Sequence, residues 1–258
     1  MYKIFALLLL ILVGSVVADV HKFKIRSSHI KRVGASLNHG TNSLDWCPQC
    51  ISTFDDLIEV TLDIILQFGI MDTCGHLCDL VIEKTGSELL GLICTMGCDF
   101  LGLEEFAKLV QSADIDPIYY CETIKLCPIN DNGDAKFKSF AILPPRAQTG
   151  STIDVNMVFV TKNGTGTGEM IIMIQTVDKI PLASGFLLEA KQPGTYGERI
   201  TIDTTADPDC DPTEKQCELW LEGTYNVTVM LCNGQCGSHH PHTAVYDIGR
   251  GSFTLYEE

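Results

Sequence analysis

Cys47 and Cys50 stand three apart in the hexapeptide Asp45-Trp46-Cys47-Pro48-Gln49-Cys50. Two thiols at that spacing serve three chemistries: a thioredoxin-type dithiol couple, half of a zinc site, or two anchors of separate disulfides. The question extends to the whole set of twelve cysteines, at positions 47, 50, 74, 78, 94, 98, 121, 127, 210, 217, 232 and 236. Other groups with chemical potential are few. His239-His240-Pro241-His242 could bind a metal ion or form a polar loop. Asp207, Asp209, Asp211 and Glu214 resemble a calcium loop loosely, because Asp-Pro steps break the ligand spacing. The pair Asp55-Asp56 reads as a solvated helix face. The sequence holds no H-E-x-x-H, no G-x-S-x-G and no phosphate-binding loop. The expectation is a protein that is not an enzyme and has neither a metal nor another cofactor.

Compartment decides the cysteine chemistry. Residues 1–18 carry Lys3, an apolar run from Phe5 to Val13, and Val16 and Ala18 at the spacing of a signal-peptidase site. The run is too short for the roughly 20 residues that span a bilayer. Cleavage after Ala18 predicts a secreted, extracellular chain, and an oxidising compartment favours disulfides. Eight cysteines fall in 47–127 and four in 210–236, an even number in each cluster, as two separately stapled domains require.

Charge is uneven along the chain. Residues 1–44 have six Lys/Arg against one Asp, a net of +5; 45–128 have three Lys against fifteen acids, a net of −12; 129–258 have nine bases against seventeen acids, a net of −8. That balance argues against nucleic acid as a partner and against steady attraction to anionic membranes at neutral pH. Residues 19–42 read as a basic, flexible arm, in which Lys31-Arg32 is either a processing site or a solvated pair.

After Cys50 the period is helical. Phe54, Leu57, Ile58, Ile64, Ile65 and Phe68 recur at three- and four-residue steps, predicting a helix over 52–69 opened by a Ser or Thr cap. Further helices are expected over 71–84, from Ser87 to about 101, over 103–113, and from Pro117 through Cys121. Cys74 and Cys78 share one helix face, as do Cys94 and Cys98. An antiparallel turn near Lys84–Ser87 sets Cys78 against Cys94 and Cys74 against Cys98, with a four-thiolate zinc site as the rival. A nested scheme then pairs Cys47 with Cys127 and Cys50 with Cys121. On this reading the Cys47/Cys50 pair anchors two bridges, since no strand precedes it as a redox motif requires.

The order C-x2-C, a helical hairpin with paired cysteines, and C-x5-C in YYCETIKLCP resembles a saposin-B-type domain over residues 43–131. The extra inner pair Cys74/Cys98 departs from that pattern. The resemblance implies lipid binding through apolar faces, for which Phe68, Ile70 and Met71 are candidates. Amoebapore-like peptides share the frame, but three lysines against fifteen acids predict little leakage from anionic vesicles at pH 7.

Residues 132–258 change character. Alternating segments lie at 137–143, 151–161, 169–177, 185–190, 198–204, 218–223, 224–232 and 251–257, between Gly, Pro and Asn punctuation. They predict a β-sandwich, and GTYNVTVMLC resembles a strand of an immunoglobulin-like domain, with Tyr225 where a tyrosine corner would lie. Of three connectivities, the local pairs Cys210–Cys217 and Cys232–Cys236 are chosen. Asn163 and Asn226 head N-glycosylation sequons. The expected fold class is an all-α, disulfide-stapled, saposin-like bundle followed by an all-β immunoglobulin-like sandwich.

A leader, a basic arm, an eight-cysteine helical region and a β-sandwich tail together resemble the countin family, secreted cell-counting factors of social amoebae, across the full chain. The resemblance implies an extracellular signal that works with other secreted subunits of a large complex, limits the size of multicellular groups and acts in part by lowering cell–cell adhesion. Lipid binding or membrane perturbation is the alternative.

Overall fold

In the computed structural model the described residues are 29–33, 46–69, 72–110, 116–207, 210 and 217–257. The leader 1–18 lies outside them. The chain folds as two units. One holds strand β1 with residues 130–237 and 243–258; the other holds the helices with residues 238–242.

The helical unit has five helices among the described residues: α1 (Trp46–Phe68), α2 (Cys74–Thr85), α3 (Glu88–Leu101), α4 (Leu103–Val110) and α5 (Pro117–Thr123). α1 begins at Trp46 rather than at a Ser or Thr cap after Cys50. Pro48 is the reason this is permitted, since the first turn needs no amide from it. Phe54, Leu57, Ile58, Ile64 and Ile65 turn one face of α1 into the core. Thr73 caps α2 by accepting from the His76 amide at 3.2 Å, and Gly86, at φ 68°, ends it. Ser87 at once caps α3 by accepting from Leu90, so two residues turn the chain into the next helix. Gly91 lets α2 approach, because a Cβ there would overlap Ile82.

Among the described residues the β unit has nine strands: β1 (Ile30–Arg32), β2 (Lys136–Leu143), β3 (Arg146–Gln148), β4 (Thr152–Thr161), β5 (Gly168–Gln175), β6 (Pro181–Leu188), β7 (Gly194–Asp203), β8 (Gly223–Asn233) and β9 (Ala244–Tyr256). They form a four-stranded sheet, β1-β7-β4-β2, and a five-stranded sheet, β3-β9-β8-β5-β6. β4 shows why. Ile153, Val155, Met157 and Phe159 alternate into the core with partly exposed residues between them, the period of a strand buried on one face. Val227, Val229, Leu231 and Phe253 face them from the second sheet's strands.

Three expectations are corrected. The chain is not an all-α, saposin-like bundle followed by an all-β immunoglobulin-like sandwich: it is mixed, with helices and two sheets, and a strand of the first sheet precedes the helices. The cause lies in the arm read as flexible. Ile30 is buried and pairs with Ile202, and Lys31 and Arg32 continue the antiparallel ladder on β7. Finally, 218–223 is not a strand. Trp220 sits at φ 49° and is buried, whereas Leu219 and Leu221 on either side are exposed, so the apparent alternation marks one inserted ring.

Candidate functional surfaces

The cysteines set the geometry of the helical unit. Bridges join Cys47 to Cys127 and Cys50 to Cys121 across 80 and 71 residues, and Cys74 to Cys98 and Cys78 to Cys94 across the α2–α3 hairpin. In the β unit Cys210 joins Cys217 and Cys232 joins Cys236. No described cysteine is free. Among the described residues no group of three or more His, Cys, Asp or Glu is arranged to hold a metal ion.

The bridges fix which face of α3 points in. Leu90, Ile93, Cys94, Gly97 and Cys98 are buried. Gly97 is required there, because a Cβ would overlap the hydroxyl of Tyr120, which is itself fully buried and donates to the Ile93 carbonyl at 3.0 Å. The opposite face is apolar too. Leu92, Met96 and Phe100, at i, i+4 and i+8, are 48%, 37% and 51% exposed. This is a continuous stripe on a helix whose other side is already committed to the core. At its end a cation approaches, the Lys125 ammonium lying 5.7 Å from the Phe100 ring centre. The sequence reading placed the lipid-facing candidates at Phe68, Ile70 and Met71. Phe68 is exposed; Ile70 and Met71 lie outside the described residues. The α3 stripe was missed, although its four-residue spacing is visible in the sequence.

Between α4 and α5 lies a cleft of about 270 Å³, lined by Leu101, Glu105, Lys108, Leu109, Tyr119 and Thr123 among others. Lys108 is already engaged by Glu104 and Glu105, at 3.1 and 2.8 Å. Asp116 caps α5 by accepting from the Tyr119 amide at 2.9 Å. Its burial raises the carboxyl above the usual range, with the Tyr119 N–H opposing the shift. The His240 ring stacks on Tyr119 with ring centres 4.4 Å apart. Of the histidine group read as a metal candidate, then, His240 serves packing. In the calcium-loop candidate, Asp209, Asp211 and Glu214 lie outside the described residues.

In the β unit Arg32 makes a two-pronged contact from β1. Arg32 donates from Nε and Nη2 to the two carboxylate oxygens of Glu198, at 2.9 and 2.6 Å, and from Nη1 to the Leu187 carbonyl at 2.7 Å. β1 and β7 belong to the first sheet and Leu187 to the second, so one guanidinium ties both. Tyr225 donates to the Leu221 carbonyl at 2.8 Å, four residues upstream. Asn163 is exposed in the loop after β4, and Asn226 is exposed on β8. Asp134 supports the Asn163 loop by accepting from the amides of Asn163 and Lys162 and from the Thr161 hydroxyl. These bonds hold its carboxyl below the usual range, the Asn163 amide most of all.

Comparison with known proteins gives two consecutive matches, one over the helices and one over β2 to β9. A model of the countin N-terminal domain matches residues 45–125, and a model of the countin C-terminal domain matches residues 135–258. The chain is 32% identical to Countin-1 of Dictyostelium discoideum over 214 residues, covering 83% of this chain and 79% of that protein. It is 28% identical to Countin-3 of the same organism, covering 83% and 91%, and 29% identical to Countin-2, covering 81% and 78%. The chain belongs to the countin family.

Proposed function

We propose that this countin-family chain is a secreted, non-enzymatic signalling factor and a subunit of an extracellular complex that limits the size of cell groups, in part by lowering cell–cell adhesion. One observation carries the reading: both countin domain models match one chain, in order, and together span most of it. The names of the Dictyostelium relatives support counting as the process. Six bridges support an oxidising compartment, since such a framework persists outside the reducing cytosol. The leader-like residues 1–18 supply the route. The test adds the purified, oxidised protein to starving, aggregating social-amoeba cells and measures final group size. Smaller groups at low dose are expected; unchanged groups across the dose range, with all bridges verified, refute the reading.

A second reading rests on the α3 stripe. Leu92, Met96 and Phe100 are an apolar surface of the kind that binds lipid. Co-sedimentation with neutral and anionic vesicles at pH 5 and pH 7 tests it. Binding that Met96→Asp abolishes supports lipid as the ligand. Absence of binding at both pH values removes it.

A further inference from the structure

The outer face of the second sheet carries one apolar cluster, where a sheet with a single core-facing side ordinarily turns polar side chains outward. β8 turns Tyr225, Val227, Val229 and Leu231 into the core, so Asn226, Thr228 and Met230 point the other way. β5 likewise buries Met170, Ile172 and Ile174 in the core and turns Ile171 and Met173 to the other face, where Ile171 is itself buried and Met173, like Met230, is half-buried. The register aligns these residues: Ile171 faces Met230, Met230 faces Ile248, and Met173 faces Thr228. Ile171, Met173 and Met230 form an apolar cluster of their own with Cys232 and Cys236, separate from the core. At one end the cluster is closed, because the Glu169 carboxylate accepts from the Cys236 amide at 3.0 Å and holds the bridged loop in place. The other end runs up to Asn226.

Asn226-Val227-Thr228 is an N-glycosylation sequon. Its placement follows from strand period: Val227 fills the core, so the asparagine and the threonine share the outer face, and Asn226 is exposed. Thr228 lies roughly 7 Å and Met230 roughly 13 Å along the strand from Asn226. Met173 is the diagonal neighbour on β5, roughly 7–8 Å away. β8 is an inner strand of its sheet, and Asn226 faces Gln175 at the end of β5, so a group attached at Asn226 starts at one end of the inner strands and can extend along them toward Met230.

We propose that Asn226 carries an N-linked glycan whose first sugars lie along this face, over Met173 and toward Met230. The apolar C–H faces of the pyranoses then meet the methionine side chains, which adapt to irregular partners. The co-reactant is a polyprenyl-diphosphate-linked oligosaccharide. The Asn226 Nδ2 atom attacks the anomeric carbon, and a C–N bond forms. The bond from that carbon to the diphosphate oxygen breaks, the polyprenyl diphosphate leaves with the electron pair, and the amide proton is lost to base. A glycan so placed takes the part of this face around Met173 and Met230 out of the surfaces open to protein partners of the complex.

The inference rests on the secretion reading above, and the test separates the two. The full chain is expressed in a eukaryotic secretory host. Recovery from the medium reports secretion, and peptide mass mapping with and without an endoglycosidase reports on Asn226 separately from Asn163. Peroxide footprinting then compares methionine oxidation in the glycosylated protein, in the same protein deglycosylated natively, and in Asn226→Gln and Thr228→Val. Met173 and Met230 are expected to oxidise several-fold faster without the glycan. The core methionines Met157 and Met170 should oxidise at one slow rate in all four samples, which also reports that the variants are folded. A bare Asn226 in protein recovered from the medium overturns the proposal while secretion stands. A glycan at Asn226 with unchanged oxidation of Met173 and Met230 overturns its placement on the face.

Discussion

Replacing Arg32 by alanine tests whether the arm is a structural part of the β unit. The three donated bonds span both sheets, and the Glu198 carboxylate that accepts two of them is 3% exposed, against 20% for the arginine side chain. Removing one partner from a buried ion pair costs about 3–5 kcal/mol, most of it the penalty of leaving the other charge dry. The residual exposure of Arg32 lets water reach the site, so the expected loss is at the low end, about 3 kcal/mol. Arg32→Lys should recover less than half of this, because an ammonium cannot make the two-pronged contact. Lys31→Ala, at the neighbouring exposed position, should change stability by under about 0.5 kcal/mol. The assay is urea unfolding followed by Trp220 fluorescence in a Trp46→Phe background, since Trp46 and Trp220 are the two tryptophans of the chain. A loss below about 1 kcal/mol for Arg32→Ala would refute the view that β1 is integral, because that is the range of an exposed pair.

Three further outcomes follow from the same contacts. Trypsin should leave the Arg32–Val33 bond of the native protein intact, because the Val33 amide donates to Arg199 and the strand is paired; peptide mapping should detect cleavage there only once Glu198→Ala has freed the side chain. Gly97→Ala should destabilise the helical unit by about 1–3 kcal/mol in a non-reducing melt, because the rigid Tyr120 ring must move and give up its bond to Ile93. Asp116 titrates higher folded than unfolded. The native state therefore binds more protons in the window between those two values, and its stability falls as pH rises through it. Asp116→Asn, which keeps a capping acceptor, should be more stable than wild type at pH 7. That advantage should shrink as pH drops into the ordinary carboxylate range, as read from paired denaturation curves; an advantage that grows on acidification would contradict the assignment.

The helices were legible because their signals are local. Apolar residues at three- and four-residue steps marked α1 through α4, and the cysteines at i and i+4 in 74–78 and 94–98 put each pair on one face before any partner was known. The first strand was not legible, because Ile30-Lys31-Arg32 is too short to show a period and its partner Glu198 is 166 residues away. Basic charge in the arm therefore read as solvation, although one of those charges is satisfied inside the fold. The 218–223 segment misled in the opposite sense. Glu-Leu-Trp-Leu alternates like a strand, but the alternation comes from a single ring turned inward by a positive φ at Trp220. Of the candidate surfaces, the sequon at Asn226 was visible. The α3 stripe was not separated from the core stripe, because a helix apolar on both faces has a weak directional signal.

The position of the helices in the chain gives the outer bridges a second role. β1 must find β7 while the whole helical region lies between Val33 and Lys136, 103 residues of chain. With Cys47 joined to Cys127, the covalent path runs from Val33 to Cys47 and from Cys127 to Lys136, about 23 residues. Loop closure costs (3/2)RT ln n, so the shortcut lowers the entropy cost of adding β1 by about 1.3 kcal/mol. Cys50–Cys121 offers a path of about 32 residues, which differs from the first by only about 0.3 kcal/mol. The two bridges are therefore redundant for this purpose, though not for the helical unit. Removing either pair as a double Ser variant should leave the Trp220 unfolding midpoint nearly unchanged, whereas removing both, with Cys74–Cys98 still shortening the path to about 79 residues, should lower β-unit stability by about 1.1 kcal/mol. Additive losses from the two single-pair variants would mean that each bridge supports the β unit through contacts of its own, and the chain-entropy account would fail.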